Sequence, residues 1–220
     1  MDEKAIYDGI LMWIGMVVIV TFHEFGHAYT AWRCGDDTAY LQGRVTLNPL
    51  SHIEIFGTVL LPLLAIGLSA SGSGLGSFII GWGRPVPVNL ANLRRRTVDD
   101  ILVSMAGPAM NVALAVAVMA IARAGAFAGS EPTVDYCISL AALSMFLCFF
   151  NLLPIPPLDG SRVLRYLIGM TEEAYMRFSQ WGFVIIIVLI NLFPVVFLAL
   201  AHATKFSIAV MSHLYGSRWI

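Results

Sequence analysis

Apolar residues in this chain run in long blocks, not in the short alternating or one-faced patterns of a soluble domain. The first block starts at Ile10, inside a helix predicted from about Ile6 to Arg33. At 1.5 Å per residue that helix is roughly 40 Å long, enough to cross about 30 Å of hydrocarbon. Three further blocks follow: Val98 to Ala124, Val134 to Leu153, and Phe178 to about Ala203, the last carrying Asn191 and Pro194. A block of another kind lies between the first two spans. Phe56 to Ile80 is apolar but holds Pro62 and a Ser69–Gly76 run with three glycines, which predicts a hairpin that enters and leaves the membrane on one side. The turn-rich stretch from Cys34 to Glu54 precedes it. Gly83-Arg84-Pro85-Val86-Pro87-Val88-Asn89 follows as a short extended edge segment, and Arg94-Arg95-Arg96 caps the next helix. The pattern predicts an all-α integral membrane protein with about four to six transmembrane helices, a re-entrant hairpin and a short extended (β) segment. Residues 1–220 read as a single domain.

Composition agrees. Of the 220 residues 58% are hydrophobic and 12% charged, against about 25% charged in soluble proteins. The start, Met1-Asp2-Glu3-Lys4, is too acidic for a signal peptide, so the first block is expected to persist as a helix. A net charge of −1 provides no basic field for nucleic acid. Cys34, Cys137 and Cys148 are far apart and read as packing residues. Positive charge bears on the hairpin. If it re-enters, Lys4, Arg123, Lys205 and Arg218 lie on one side and the other nine of the 13 basic residues on the opposite one, a stronger bias than a crossing would give. With the majority side cytoplasmic, the first helix starts outside and ends inside, in what we expect to be a prokaryotic cell membrane.

One stretch of that helix breaks the apolar pattern: His23-Glu24-Phe25-Gly26-His27. The i, i+4 spacing turns side chains by about 400° and sets the two histidines on one face, where they can hold one zinc ion. Glu24, beside that face, is placed to take a proton from water. Composition predicts about 0.003 chance occurrences of such a motif, and a lone glutamate in a membrane helix is costly without a cation.

A catalytic zinc takes three protein ligands. The third candidate is Asp159, in Asn151-Leu152-Leu153-Pro154-Ile155-Pro156-Pro157-Leu158-Asp159-Gly160 at the end of the third span. The prolines forbid a regular helix, so Asp159 is offered from irregular backbone, on the same side as the two histidines. The alternative for Asp159 is a helix N-cap ahead of Ser161. Asn151 is expected to hold the broken backbone before Asp159. Asn111 either touches substrate or ties two helices, while His52 reads as structural, and His202 and His213 as facing headgroups.

These motifs, together with Ala106-Gly107-Pro108-Ala109-Met110-Asn111, resemble the site-2 protease family of intramembrane zinc metalloproteases. Gly43–Thr58 and Gly81–Asn89 are similar to its short branch without PDZ or CBS domains. The resemblance covers nearly the whole chain. It implies one zinc on His23, His27 and Asp159, Glu24 as general base, and Asn111 near the substrate. One departure is Glu54-Ile55, where the family tends to show Asp-Pro, which bears on the local turn.

The expected function is an intramembrane zinc endopeptidase, cutting a membrane-protein or membrane-peptide substrate within the lipid bilayer nearer the cytoplasmic face. A metal permease is the rival, but the other spans carry few acidic or imidazole groups to line an ion path. A helical substrate must be unwound before it is cut. Pro85 and Pro87 strip donors from one edge of the extended segment, leaving the N–H groups of Val86 and Val88 to pair with substrate backbone.

Overall fold

The computed structural model describes residues 2–72 and 81–216. Helix α1, Glu3–Arg33, opens on Asp2, whose carboxylate accepts from the N–H groups of Lys4 and Ala5. A short α2, Thr38–Leu41, follows. A widened π-helical run at Ile55–Leu60 then passes into α3, Leu61–Ala70. Pro62 cannot donate into a regular ladder, and the widened turn stands just ahead of it. The remaining helices are α4, Arg96–Phe127; α5, Glu131–Asn151; α6, Asp159–Leu167; α7, Glu172–Ser179; α8, Gly182–Leu192; and α9, Pro194–Leu214.

Four helices among the described residues are long and apolar enough to cross a membrane: α1, α4, α5 and α9. Helix α4 packs most extensively against α5 and α1, and α9 packs on α5 and touches α4. Their shared core is built largely from small or flexible residues: Ala115, Met119 and Ala122 of α4, Cys137, Ala141 and Met145 of α5, and Ile208 and Met211 of α9. Small residues let helix backbones close up where burial from water gives no drive. The same device joins α1 to α4, since a side-chain carbon at Gly26 would stand 2.8 Å from the Ala106 carbonyl oxygen.

The hairpin returns to the side it left. Arg94 N–H donates to the Cys34 carbonyl at 3.2 Å, so residues 34 and 94 lie together, and Trp82 N–H donates to the Gly57 carbonyl at 3.2 Å. Between those points α3 runs antiparallel to α1. Trp13 donates to the Thr58 carbonyl, Ile66 lies against Gly9, and Asp2 N–H donates to the Ala70 carbonyl. The arm therefore reaches the N-terminal end of α1. Residues 73–80 of the expected turn lie outside the described residues.

Three expectations change. The span expected at Phe178–Ala203 is two helices, broken at Phe193, and the crossing element is α9, because Pro194 lacks an N–H and can only begin a helix. His202 and Lys205 consequently lie in the interior of α9's sequence, both exposed on its surface. The short β segment is not a strand: Gly81–Asn89 carries no regular secondary structure and has no strand partner among the described residues. A lone segment has no ladder to complete. At Glu54 the substitution is absorbed, since its carboxylate accepts from Gly57 N–H at 2.6 Å and caps the following turn.

Candidate metal centre and active site

His23 and His27 are buried on the face of α1 that meets α4. Their Nε2 atoms lie 3.0 Å apart, and Asp159 Oδ2 lies 3.3 Å from His23 Nε2 and 3.4 Å from His27 Nε2. A tetrahedral ion with bonds of about 2.0–2.1 Å separates its ligand atoms by roughly 3.3–3.4 Å, so the triangle has the size of three zinc ligands. The orphaned atoms fit as well. Asp159 Oδ2 is buried and makes no hydrogen bond despite its two close nitrogens, as expected of a ligand atom that faces a metal position.

His27 and Asp159 are oriented by different elements, whereas buried His23 Nδ1 makes no hydrogen bond among the described residues. His27 Nδ1 donates to the Val103 carbonyl of α4 at 2.7 Å, which leaves Nε2 with its lone pair toward the triangle. Asp159 is the first residue of α6, and Leu158, not Asp159, holds the cap position. Its carboxylate is thus turned to the histidines, and the N-cap reading does not hold. Gly160 is required by space, since a side-chain carbon there would fall on the Leu152 carbonyl oxygen.

Gly107 is a site residue that the spacing argument missed. A side-chain carbon there would stand 2.7 Å from His23 Nε2 and closer still to His27 Nε2. The absent side chain leaves open the space in front of the ligand atoms. Its only trace in the sequence is the small-residue run Ala106-Gly107-Pro108.

Glu24 is half-buried and outside the triangle. Its Oε1 lies 3.6 Å from where a side-chain carbon on Gly83 would stand, which places the Gly81–Asn89 segment beside it. In that segment Val86 and Val88 are half-buried, and their N–H groups have no protein acceptor among the described residues. Asn111, one turn past Gly107 on α4, is fully buried with neither amide atom bonded, while its main-chain carbonyl accepts from Ser144 Oγ. Asn151 Nδ2 donates to the Leu147 carbonyl of its own helix, at the last turn of α5 before the proline run. His52 is buried away from the triangle, its Nε2 donating to the Thr46 carbonyl at 2.8 Å, and burial lowers its pKa.

Two comparisons with known proteins extend the picture. The model of peptidase family M50 matches residues 11–129 and 125–194. The chain is 37% identical over 184 residues to YwhC of Bacillus subtilis (strain 168), named a zinc metalloprotease, covering 80% of this chain and 78% of that one. It is 35% identical over 182 residues to Rip2 of Mycolicibacterium smegmatis, also named a zinc metalloprotease, covering 82% of this chain and 66% of the relative. Rip2 of Mycobacterium tuberculosis (strain H37Rv), with the same naming, is 34% identical over 192 residues, covering 85% and 70%. No solved structure matches at a significant level. With its buried pair of histidines and aspartate, its four apolar helices and these relatives, the chain belongs to peptidase family M50, the site-2 protease family, and is a multi-pass membrane zinc metalloendopeptidase.

Proposed function

We propose that the protein hydrolyses a peptide bond within or beside a transmembrane segment of a membrane-protein or membrane-peptide substrate, using one zinc ion held by His23, His27 and Asp159. The observation that carries this reading is the buried 3.0–3.4 Å triangle, kept clear by Gly107, with Glu24 next to it and outside it. When bound there, zinc supplies Lewis acidity, polarising a carbonyl and making water more acidic.

The residues of the chain do the rest. Glu24 takes a proton from the attacking water. The water oxygen bonds the scissile carbonyl carbon, and as the C–N bond breaks Glu24 passes the proton to the leaving amine. Val86 and Val88 N–H pair with substrate backbone and hold it extended. Asn111, with a buried and unpaired amide, contacts the substrate deeper in the site. Asn151 steadies the end of α5, from which the chain leads to Asp159. The site lies nearer the cytoplasmic face of a prokaryotic cell membrane, because the side where α1 ends and α4 begins carries most of the basic residues.

The test is metal content and turnover of purified protein in lipid vesicles with a membrane-spanning peptide. We expect one zinc per chain and a single cut near the membrane-embedded part. A protein that holds zinc and leaves every such peptide intact, while cutting a soluble one, would overturn the intramembrane reading.

A further inference from the structure

Gly81–Asn89 has no secondary structure of its own, yet its flanks are tied down by two buried ions. At one end Arg44, 3% exposed, donates from Nη2 to the Arg84 carbonyl at 2.5 Å and from Nη1 to the Pro85 carbonyl at 3.3 Å. At the other end Asp36, 0% exposed, accepts from Asn89 N–H at 2.7 Å and from Asn92 Nδ2 at 3.0 Å. Arg84 N–H donates to the His52 carbonyl at 2.8 Å. These ties take the flanks and leave the N–H groups of Val86 and Val88 between them.

Neither ion forms an ion pair within 4 Å among the described residues, although the Glu24 carboxylate is near enough to Arg44 to favour its charge. Burying a charge is costly, and both side chains make charge-assisted hydrogen bonds to the main chain or amides of this stretch, Asp36 accepting also from the N–H and hydroxyl of Thr38 in its own loop. Both also come from the same source. The chain leaving α1 turns at Gly35, with φ +108°, to present Asp36, and at Gly43, with φ +67°, to present Arg44. Helix α1, which carries His23, Glu24 and His27, thus also carries in its extension the two groups that set where the segment lies.

We propose that Asp36 and Arg44 are positioning residues that clamp the two ends of Arg84–Asn89 and hold Val86 and Val88 N–H as a preformed edge for extended substrate backbone. The proposal rests on the protease reading of the site. An edge held in place before binding loses less freedom when a strand pairs with it, and more of the pairing energy is left to unwind a helix. The clamp therefore matters most for substrates that arrive helical.

The experiment uses the zinc-loaded full chain in lipid vesicles and two synthetic transmembrane peptides sharing one cleavable stretch. One is a continuous helix former, and the other carries a Gly-Pro pair beside that stretch. For Arg44→Ala we expect kcat/KM to fall about 10- to 100-fold on the helical peptide, and less than about 5-fold on the broken one, with zinc content unaltered. Arg44→Lys keeps the charge but cannot fork across two carbonyls, so it recovers only part of the loss, and it serves for the comparison should Arg44→Ala not fold. Asp36→Asn, which keeps an acceptor for Asn89 N–H, loses less than Asp36→Ala. Equal losses on both peptides with zinc retained, or no loss on either, overturn the proposal.

A second measurement needs no turnover. A nitroxide on a cysteine at Pro85, with the native cysteines replaced, is restrained in the parent and mobile in Arg44→Ala. An unchanged spectrum refutes the clamp whatever the activity. A label that loosens in Arg44→Ala while the parent protein itself cuts neither peptide upholds the clamp and sinks the protease reading instead.

Discussion

At the metal centre, three side chains from α1 and α6 converge within 3.0–3.4 Å on a space that α4 leaves open at Gly107, and helices supply nearly all of the geometry. Some residues away, beside Glu24, Gly81–Asn89 has no helix or sheet, and buried side chains supply the geometry by bonding its main chain. The first region is a rigid constellation whose parts can be removed one at a time. The second is an edge left unfinished on one side. Chemistry on a fixed atom needs convergent side chains, whereas holding a substrate of varied sequence needs main-chain donors that ignore side chains. The proposed activity needs both, side by side.

The sharpest way to break the comparison is at the metal. Asp159→Ala or His23→Ala should lose zinc and activity together, and an Asp159→Ala protein with full metal content would mean the third ligand lies elsewhere. Gly107→Ala should act like a ligand deletion without touching a ligand, because the added carbon falls on both Nε2 atoms. Full zinc occupancy in Gly107→Ala would show that α4 can move aside.

Glu24→Gln separates chemistry from binding. Turnover should drop by about 10²–10⁴-fold or more while zinc stays bound, as for loss of a general base, and retained turnover ends that assignment. Next in size is the edge. Val86→Pro removes one donor with little change in polarity, and should cut cleavage by roughly 10-fold or more on a helical peptide with zinc and folding unchanged. Wild-type cleavage by that variant would remove substrate pairing at Val86.

The smallest perturbation tests which way the two regions face. With native cysteines replaced, single cysteines at Glu3 and Ser71 should react with a membrane-impermeant thiol reagent from the same side, because Asp2 and Ala70 are hydrogen-bonded. A cysteine at Asn92 should react from the other. Labelling of Asn92 in intact cells would reverse the orientation drawn from the basic residues.

Much of this was legible in the residues alone, and the reason is locality. A helix carries its own hydrogen bonds, so apolar blocks predict crossings, and two histidines four apart share a face wherever the helix goes. Pro154, Pro156 and Pro157 announced irregular backbone before Asp159, and the basic residues announced a hairpin that comes back. Pro194 is equally visible, but a proline inside an apolar block can kink a span or start one, and packing of α9 against α5 decides for the start. What only the tertiary structure decided are contacts between distant residues and main-chain groups. Val103 orients His27 through a carbonyl that every residue type owns, Gly107 acts by a side chain it lacks, and Arg44 and Asp36, two charges in a turn-rich loop, find partners in the backbone of residues 84, 85 and 89. Such interactions leave no pattern along the chain, because the atoms that make them are the same at every position and only the fold brings them together.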